Sequence, residues 1–348
     1  MQKKIKESLV IISNDRFNYR SGYLSYENKN TLSIIEGLLK KYEIFIIARK
    51  KSKNLLFKKK INNLKFINFF GLLKIIIKKR IKFFFISITP FNFFIFSILK
   101  IFCVKKKRII TFLRSDGFKE YKKFFLGELI YLFFFVIFRE YSLFLSCSKY
   151  LNKIGKHELV LPSEIDKLWL SGVKKKILKN KLNILYVGRF KKEKGVYSLL
   201  KLFRNLKLKD TNLIPQLTMV GYNNLNIKKK YQYVKFVKYQ NNSKKLISIY
   251  DKNDIFVLPS YTEAYPQVIL ESLSRKKPVI IFEEIKFIKQ NFPFGIFVSK
   301  RNNKDFSLTL KKIVRNYNTI VKKIDSKKLQ TKKNYYNQLH VKLKKYDF

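Results

Sequence analysis

Short runs of β-branched and aromatic residues alternate along this chain with longer stretches of helical periodicity, and the alternation starts afresh near residue 182. Strand, helix and strand in succession make a parallel sheet covered on both faces, so a chain patterned in this way is confined to the α/β class. In the first half, strands are expected at 8–13, 43–48, 84–88, 108–113 and 143–147, with helices near 31–40, 91–102 and 125–138. In the second half, strands are expected at 182–188, 216–220, 234–237, 255–258 and 279–282. A polar, basic stretch at 174–181 separates the two sets, and 348 residues are enough for two domains. The expected architecture is two doubly wound, Rossmann-like domains facing across a cleft, over 1–175 and 182–320. A helical tail over 321–348 would pack back toward the first domain. Ligands bind such sheets beyond the carboxyl ends of the strands, so residues just after each strand carry the functional signal.

The net charge of +53 points first to nucleic acid, but its origin is 64 lysines against 12 arginines, with only Ala48 and Ala264 as alanines. Inflated Lys, Ile, Asn, Phe and Tyr are what AT-rich coding does to any protein. The cations are spread along the chain, and no nucleic-acid module is recognisable, so no specific nucleic acid is expected. Cys103 and Cys147 are too few for a disulfide framework and form no CxxC pair, which suits a reducing compartment. The apolar run at 9–12 is too short for a signal peptide. The stretches at 91–104 and 129–138 fall short of the roughly 18–20 apolar residues a membrane span needs. They read as buried helices or as helices partly facing a membrane, and the protein is expected to be cytoplasmic. Lys105, Lys106, Lys107 and Arg108 beside 72–85 and 91–104 would suit an anionic membrane surface on its inner face, although coding bias produces the same residues.

Two segments carry chemistry. After the strand ending at Val187 come Gly188, Arg189, Lys191, Lys192, Lys194 and Gly195, followed by a helix with apolar Val196, Leu199, Leu200 and Phe203 at helical spacing. Cations beside a helix N-terminus make an anion site, or else a solvated basic loop. The strand at 255–258 runs into Pro259 and Ser260, then Glu263, Pro266 and a helix holding Glu271. Ionised carboxylates accept hydrogen bonds from a sugar diol; otherwise Glu271 only steadies the helix dipole and Glu263 lies on the surface.

Taken together, Gly188-Arg189-Phe190, Lys194-Gly195, Val220-Gly221, the run from Asp254 to Ser260, Glu263 with Glu271, and Lys277-Pro278-Val279-Ile280 resemble the donor half of a family 4 glycosyltransferase of GT-B fold. The resemblance covers about 183–285. It implies a retaining, hexosyltransferase-type enzyme that uses a nucleotide-diphosphate sugar. Arg189 and Lys194 would hold the diphosphate, Glu263 the transferred sugar and Glu271 the ribose. Gly188 and Gly221 would line the donor with the backbone of Ala264, Tyr265 and Gln267, Pro266 having no N–H. Ala264 stands where the family usually has glycine. No cofactor and no metal are expected. The acceptor is expected to be a glycan or lipid-linked sugar in surface polysaccharide or lipopolysaccharide synthesis. The alternatives are a degenerate sugar-nucleotide binder and a basic nucleic-acid-binding protein.

The acceptor half matches less well. Only Ser21-Gly22 stands for a glycine-rich loop after the first strand, so Gly22 is the expected substrate contact there. Where many relatives carry a histidine, this chain has Arg114, Ser115 and Asp116. Arg114 and Asp116 would face the transferred sugar or acceptor, unless Asp116-Gly117 is simply a capped turn. The segment from Leu161 to Asp166 resembles the family's interdomain connector, and His157 beside it is expected at the surface.

Overall fold

The structure is a computed structural model that describes residues 7–49, 55, 57–77, 81–149, 151, 157–173, 178, 180–206, 208, 213–222, 231–292 and 294–345. The chain divides into two compact units, Met1–Pro162 with Lys333–Phe348, and Ser163–Lys332. Each is built on a largely parallel sheet, so the fold is α/β with two Rossmann-like domains.

The first unit contains β1 (Glu7–Arg20), β2 (Tyr23–Tyr26), α1 (Lys29–Leu39), β3 (Tyr42–Arg49), β4 (Phe57–Lys60), β5 (Leu64–Phe66) and α2 (Phe69–Ile76). It continues with β6 (Ile81–Ile86), α3 (Pro90–Ile101), β7 (Ile109–Leu113), α4 (Gly117–Tyr121), α5 (Gly127–Tyr141), β8 (Leu143–Ser146) and β9 (Glu158–Leu159). The parallel order is β5-β3-β1-β6-β7-β8-β9. Strands β6 and β7 are buried along their whole length, as central parallel strands must be. One strand departs from expectation. β1 does not stop at Ser13; it kinks between Ser13 and Arg16 and runs on into an antiparallel ribbon with β2 and β4.

The second unit holds α6 (Lys167–Leu170), β10 (Lys181–Val187), α7 (Val196–Arg204), β11 (Ile214–Tyr222), β12 (Val234–Lys238), α8 (Ser243–Lys252), β13 (Ile255–Leu258) and α9 (Gln267–Ser274). It ends with β14 (Val279–Phe282), β15 (Ile296–Ser299), α10 (Asn303–Arg315) and α11 (Tyr317–Lys323). The sheet order is β12-β11-β10-β13-β14-β15, all parallel. Chain order reverses between β10 and β13, which opens a crevice at their carboxyl ends.

The division falls after Pro162, earlier than the basic stretch at 174–181, of which residues 174–177 and 179 lie outside the described residues. Bonding explains the position. Ser163 Oγ donates to the Gln330 carbonyl at 2.6 Å, and the Glu164 N–H donates to Gln267 Oε1 at 3.1 Å. The last helix, α12 (Lys332–Lys344), buries Tyr335, Leu339 and Leu343 in the first unit. There Lys82, itself 1% exposed, donates to the Leu343 carbonyl at 3.2 Å. His157 is not at the surface; it is buried and stacked on Phe144, with ring centroids 5.0 Å apart. Among the described residues no helix is long and apolar enough to cross a membrane.

Candidate active site

The residues expected on the donor side lie around the crevice of the second sheet. Gly188 follows β10 and Gly221 lies within β11, and a Cβ on Gly221 would come within 2.2 Å of the Gly188 carbonyl oxygen. That close approach draws the two strand ends together. Arg189 is exposed at the mouth, and its guanidinium makes no hydrogen bond or ion pair among the described residues. Its backbone is fixed instead, the buried Tyr186 hydroxyl donating to the Arg189 carbonyl at 2.9 Å. Burial, then Glu263 nearby, holds the Tyr186 phenol protonated well above its ordinary range.

Lys194 and Glu263 meet. Lys194 Nζ lies 2.6 Å from Glu263 Oε1, which also accepts from Ser260 Oγ at 2.8 Å. The Tyr261 N–H donates to the Glu193 carbonyl at 3.0 Å and so laces the two loops together. Gly195 turns the first loop into α7 at φ +65, where a Cβ would fall 1.8 Å from the Pro259 carbonyl oxygen. Only glycine satisfies both that backbone and that space.

The helices opening here differ from most others in the molecule. Helices α1, α2, α3, α8 and α10 each begin with an Asn or Thr side chain accepting a backbone N–H. Helices α7 and α9 begin at Gly195 and Pro266 with no side-chain cap. Two helix starts without capping side chains, with a lysine between them, favour a bound anion. Tyr265 is buried and stacked on Phe292, while Ala264 is half-buried beside it. Gln267 spends its side chain on the Glu164 N–H. Glu271, one turn into α9, accepts from the buried Tyr250 hydroxyl at 2.8 Å. Burial and the Glu271 charge push the Tyr250 phenol well up and that of Tyr239 up to about 12.

Residues 172–333 match the family Glycosyl transferases group 1. The match spans nearly all of the second unit and a little under half of the chain. No curated protein matches the chain by sequence. Solved structures match its fold along almost the whole length. Sucrose-phosphate synthase from Thermosynechococcus elongatus superposes with a TM-score of 0.70 at 14% identity, covering 98% of this chain and 99% of that one. Anabaena HepE, solved in complex with UDP and glucose, gives 0.64 at 12% identity, covering 97% and 100%. The lipopolysaccharide outer core galactosyltransferase WaaB gives 0.64 at 16%, covering 96% and 99%. The chain has the GT-B glycosyltransferase fold.

In the first sheet of this GT-B chain, the residues expected on the acceptor side take other positions. Gly22, with Ser21, forms the two-residue tip of the β1–β2 hairpin, and both have positive φ, at 75° and 52°. That is a type I′ turn, whose twist suits the flanking strands. Asp116 caps α4, its Oδ1 accepting the Lys119 N–H at 3.3 Å. Arg114 follows β7 and points to Asp15 at the kink of β1, with Nη2 3.7 Å from Oδ2, and donates to Thr31 Oγ1. Thr31 in turn donates to Asp15. Sequence reasoning missed Asp15, and it missed Arg301 in the second unit. Arg301 donates to the Pro259 carbonyl at 2.8 Å and to Ser198 Oγ at 3.0 Å, pairs with Glu284, and lies over the rings of Tyr261 and Phe282. A signal was present: where lysine is so favoured, a retained arginine is a candidate for a place that needs a planar fork, as Arg114, Arg275 and Arg301 prove to be. Among the described residues no three His, Cys, Asp or Glu side chains gather as metal ligands.

Proposed function

We propose that this chain is a retaining glycosyltransferase of the family 4 type, which moves a hexose from a nucleotide-diphosphate sugar to a glycan or lipid-linked acceptor during surface polysaccharide or lipopolysaccharide synthesis. The observation that carries this reading is the Lys194–Glu263 pair set between the uncapped starts of α7 and α9. Departure of a nucleoside diphosphate concentrates negative charge on its terminal phosphate while the sugar becomes oxocarbenium-like. Lys194, Arg189 and the two helix starts would stabilise that charge as it develops, which is the logic of an oxyanion hole. Cationic side chains in that place would serve without a metal ion. Glu263 would accept hydrogen bonds from the sugar hydroxyls, and Glu271, steadied by Tyr250, those of the ribose.

On the acceptor side, Arg114 held by Asp15 and Thr31, together with Asp116, would face the transferred sugar or its acceptor. A lipid-linked acceptor would bring the enzyme to the inner face of a membrane as a peripheral protein. Incubation with a panel of UDP-, GDP- and other nucleotide sugars, scored for binding and slow hydrolysis, tests the reading. One donor should be bound and cleaved, and Glu271→Ala should abolish both. Binding without cleavage would leave a degenerate binder, and a folded sample that binds no donor would end the transferase reading.

A further inference from the structure

Over residues 129–138, α5 is apolar at every position, yet its buried residues there are only Tyr131, Phe135 and Phe138. Leu129, Ile130, Leu132, Phe133 and Val136 are 44–61% exposed. A surface helix ordinarily turns a polar face to water. Coding bias enriches Phe and Ile as well as Lys, but it does not sort them by face, and here ten apolar residues stand in succession with no lysine among them. The outward positions of α8 carry Lys244, Lys245 and Lys252, all exposed. The apolar face extends beyond the helix: Phe125, just ahead of it, is 91% exposed. Phe93 on α3 stacks on Phe134 at 4.2 Å and meets Phe133 at 5.8 Å, so α3 borders the same surface.

Cations rim this surface. Lys122 and Lys123 precede α5, with Lys123 Nζ 5.1 Å from the Phe124 ring. At the far end Lys100 Nζ sits 3.8 Å over the Tyr141 ring, and Lys105, Lys106 and Lys107 are exposed after α3. Glu128 and Glu140 stand only at the helix ends. Ten apolar residues at about 1.5 Å each reach roughly half of the ~30 Å hydrocarbon core, so the helix can lie in an interface but not cross it.

We propose that this face docks on an anionic lipid surface, with the aromatic side chains of α5 and its approach among the acyl chains and the flanking lysines on headgroup phosphates. The proposal rests on the membrane-surface reading above and gives it a place in the molecule. A second copy of the chain is the rival occupant, and charge disfavours it, because a two-fold contact through this face would set like cationic rims together.

Flotation of the full chain with vesicles tests it, using phosphatidylcholine alone and phosphatidylcholine mixed with phosphatidylglycerol. The chain should bind the mixed vesicles more tightly than the neutral ones. The double variant Phe125→Ser/Phe133→Ser should weaken that binding about tenfold or more. Lys122→Gln/Lys123→Gln should weaken it about fivefold for each lysine. Lys244→Gln/Lys245→Gln and Leu308→Ser, on the other unit, should leave it unchanged. All these sites are exposed, and a thermal melt checks that each variant is folded. Absent vesicle binding, equal loss in the α8 control, or a dimer by light scattering that Phe125→Ser/Phe133→Ser dissociates would each overturn the proposal. Hydrolysis of soluble donor, measured without vesicles, keeps the two readings apart. Lost vesicle binding with intact hydrolysis sinks the docking surface alone, and the reverse sinks the transferase alone.

Discussion

Lys194 and Glu263 hold one another at 2.6 Å, yet the proposed chemistry sends them to opposite parts of a donor, the cation to the diphosphate and the carboxylate to the sugar. The proposed donor therefore has to draw each away from the other, and the two should act as a unit. Lys194→Ala is expected to slow donor cleavage by about 10²–10³-fold, the usual cost of removing one aimed donor, with little change in melting temperature. Asp116→Asn keeps the α4 cap, since Asn caps as well as Asp. Its turnover should fall at unchanged stability, and full turnover would confine Asp116 to capping. Arg275 belongs to stability alone. Its guanidinium is 1% exposed, and all five N–H donors are used: two on Asp251 and three on the carbonyls of Trp169, Ser171 and Gly172. Lysine has neither the fork nor enough donors, so Arg275→Lys should cost about 3–5 kcal/mol in denaturant unfolding.

At the scale of elements, the loop from Arg189 to Gly195 is held by backbone geometry more than by its charges. Gly195→Ala would force a left-handed residue and a contact with the Pro259 carbonyl. It should cost about 2 kcal/mol or more and loosen donor binding, seen as a raised donor Kd beside a lowered melting temperature. The missing caps of α7 and α9 were legible in the chain, because Gly195 and Pro266 stand where Ser, Thr, Asp or Asn would cap. The ribbon of β1, β2 and β4 was not. Phe57–Lys60 carries three lysines and no apolar alternation, and it becomes a strand only because β2 offers hydrogen bonds along its edge. The extension of β1 past Ser13 has the same cause, and it moves the expected glycine loop out to a hairpin tip.

At the scale of the whole molecule, both histidines resist protonation. Burial first, then Arg139 for His157 and chiefly Lys41 for His340, holds each below the ordinary 6.5. Below that value the unfolded chain binds more protons than the folded one, so stability is complete above about pH 6.5 and is lost as pH falls beneath it. Urea midpoints measured on either side of that pH should show the fall, and His157→Gln with His340→Gln should flatten it. The pattern of residues by itself determined the α/β class, the restart near 182 and the loop motifs of the second unit, because each is written in one short stretch passing from strand to loop to helix. Tertiary structure alone decided that Asp15 meets Arg114, that α12 returns to Lys82, and that the outer face of α5 stays uncovered. Those are relations between segments far apart in the chain, where burial and pairing depend on what folding brings alongside.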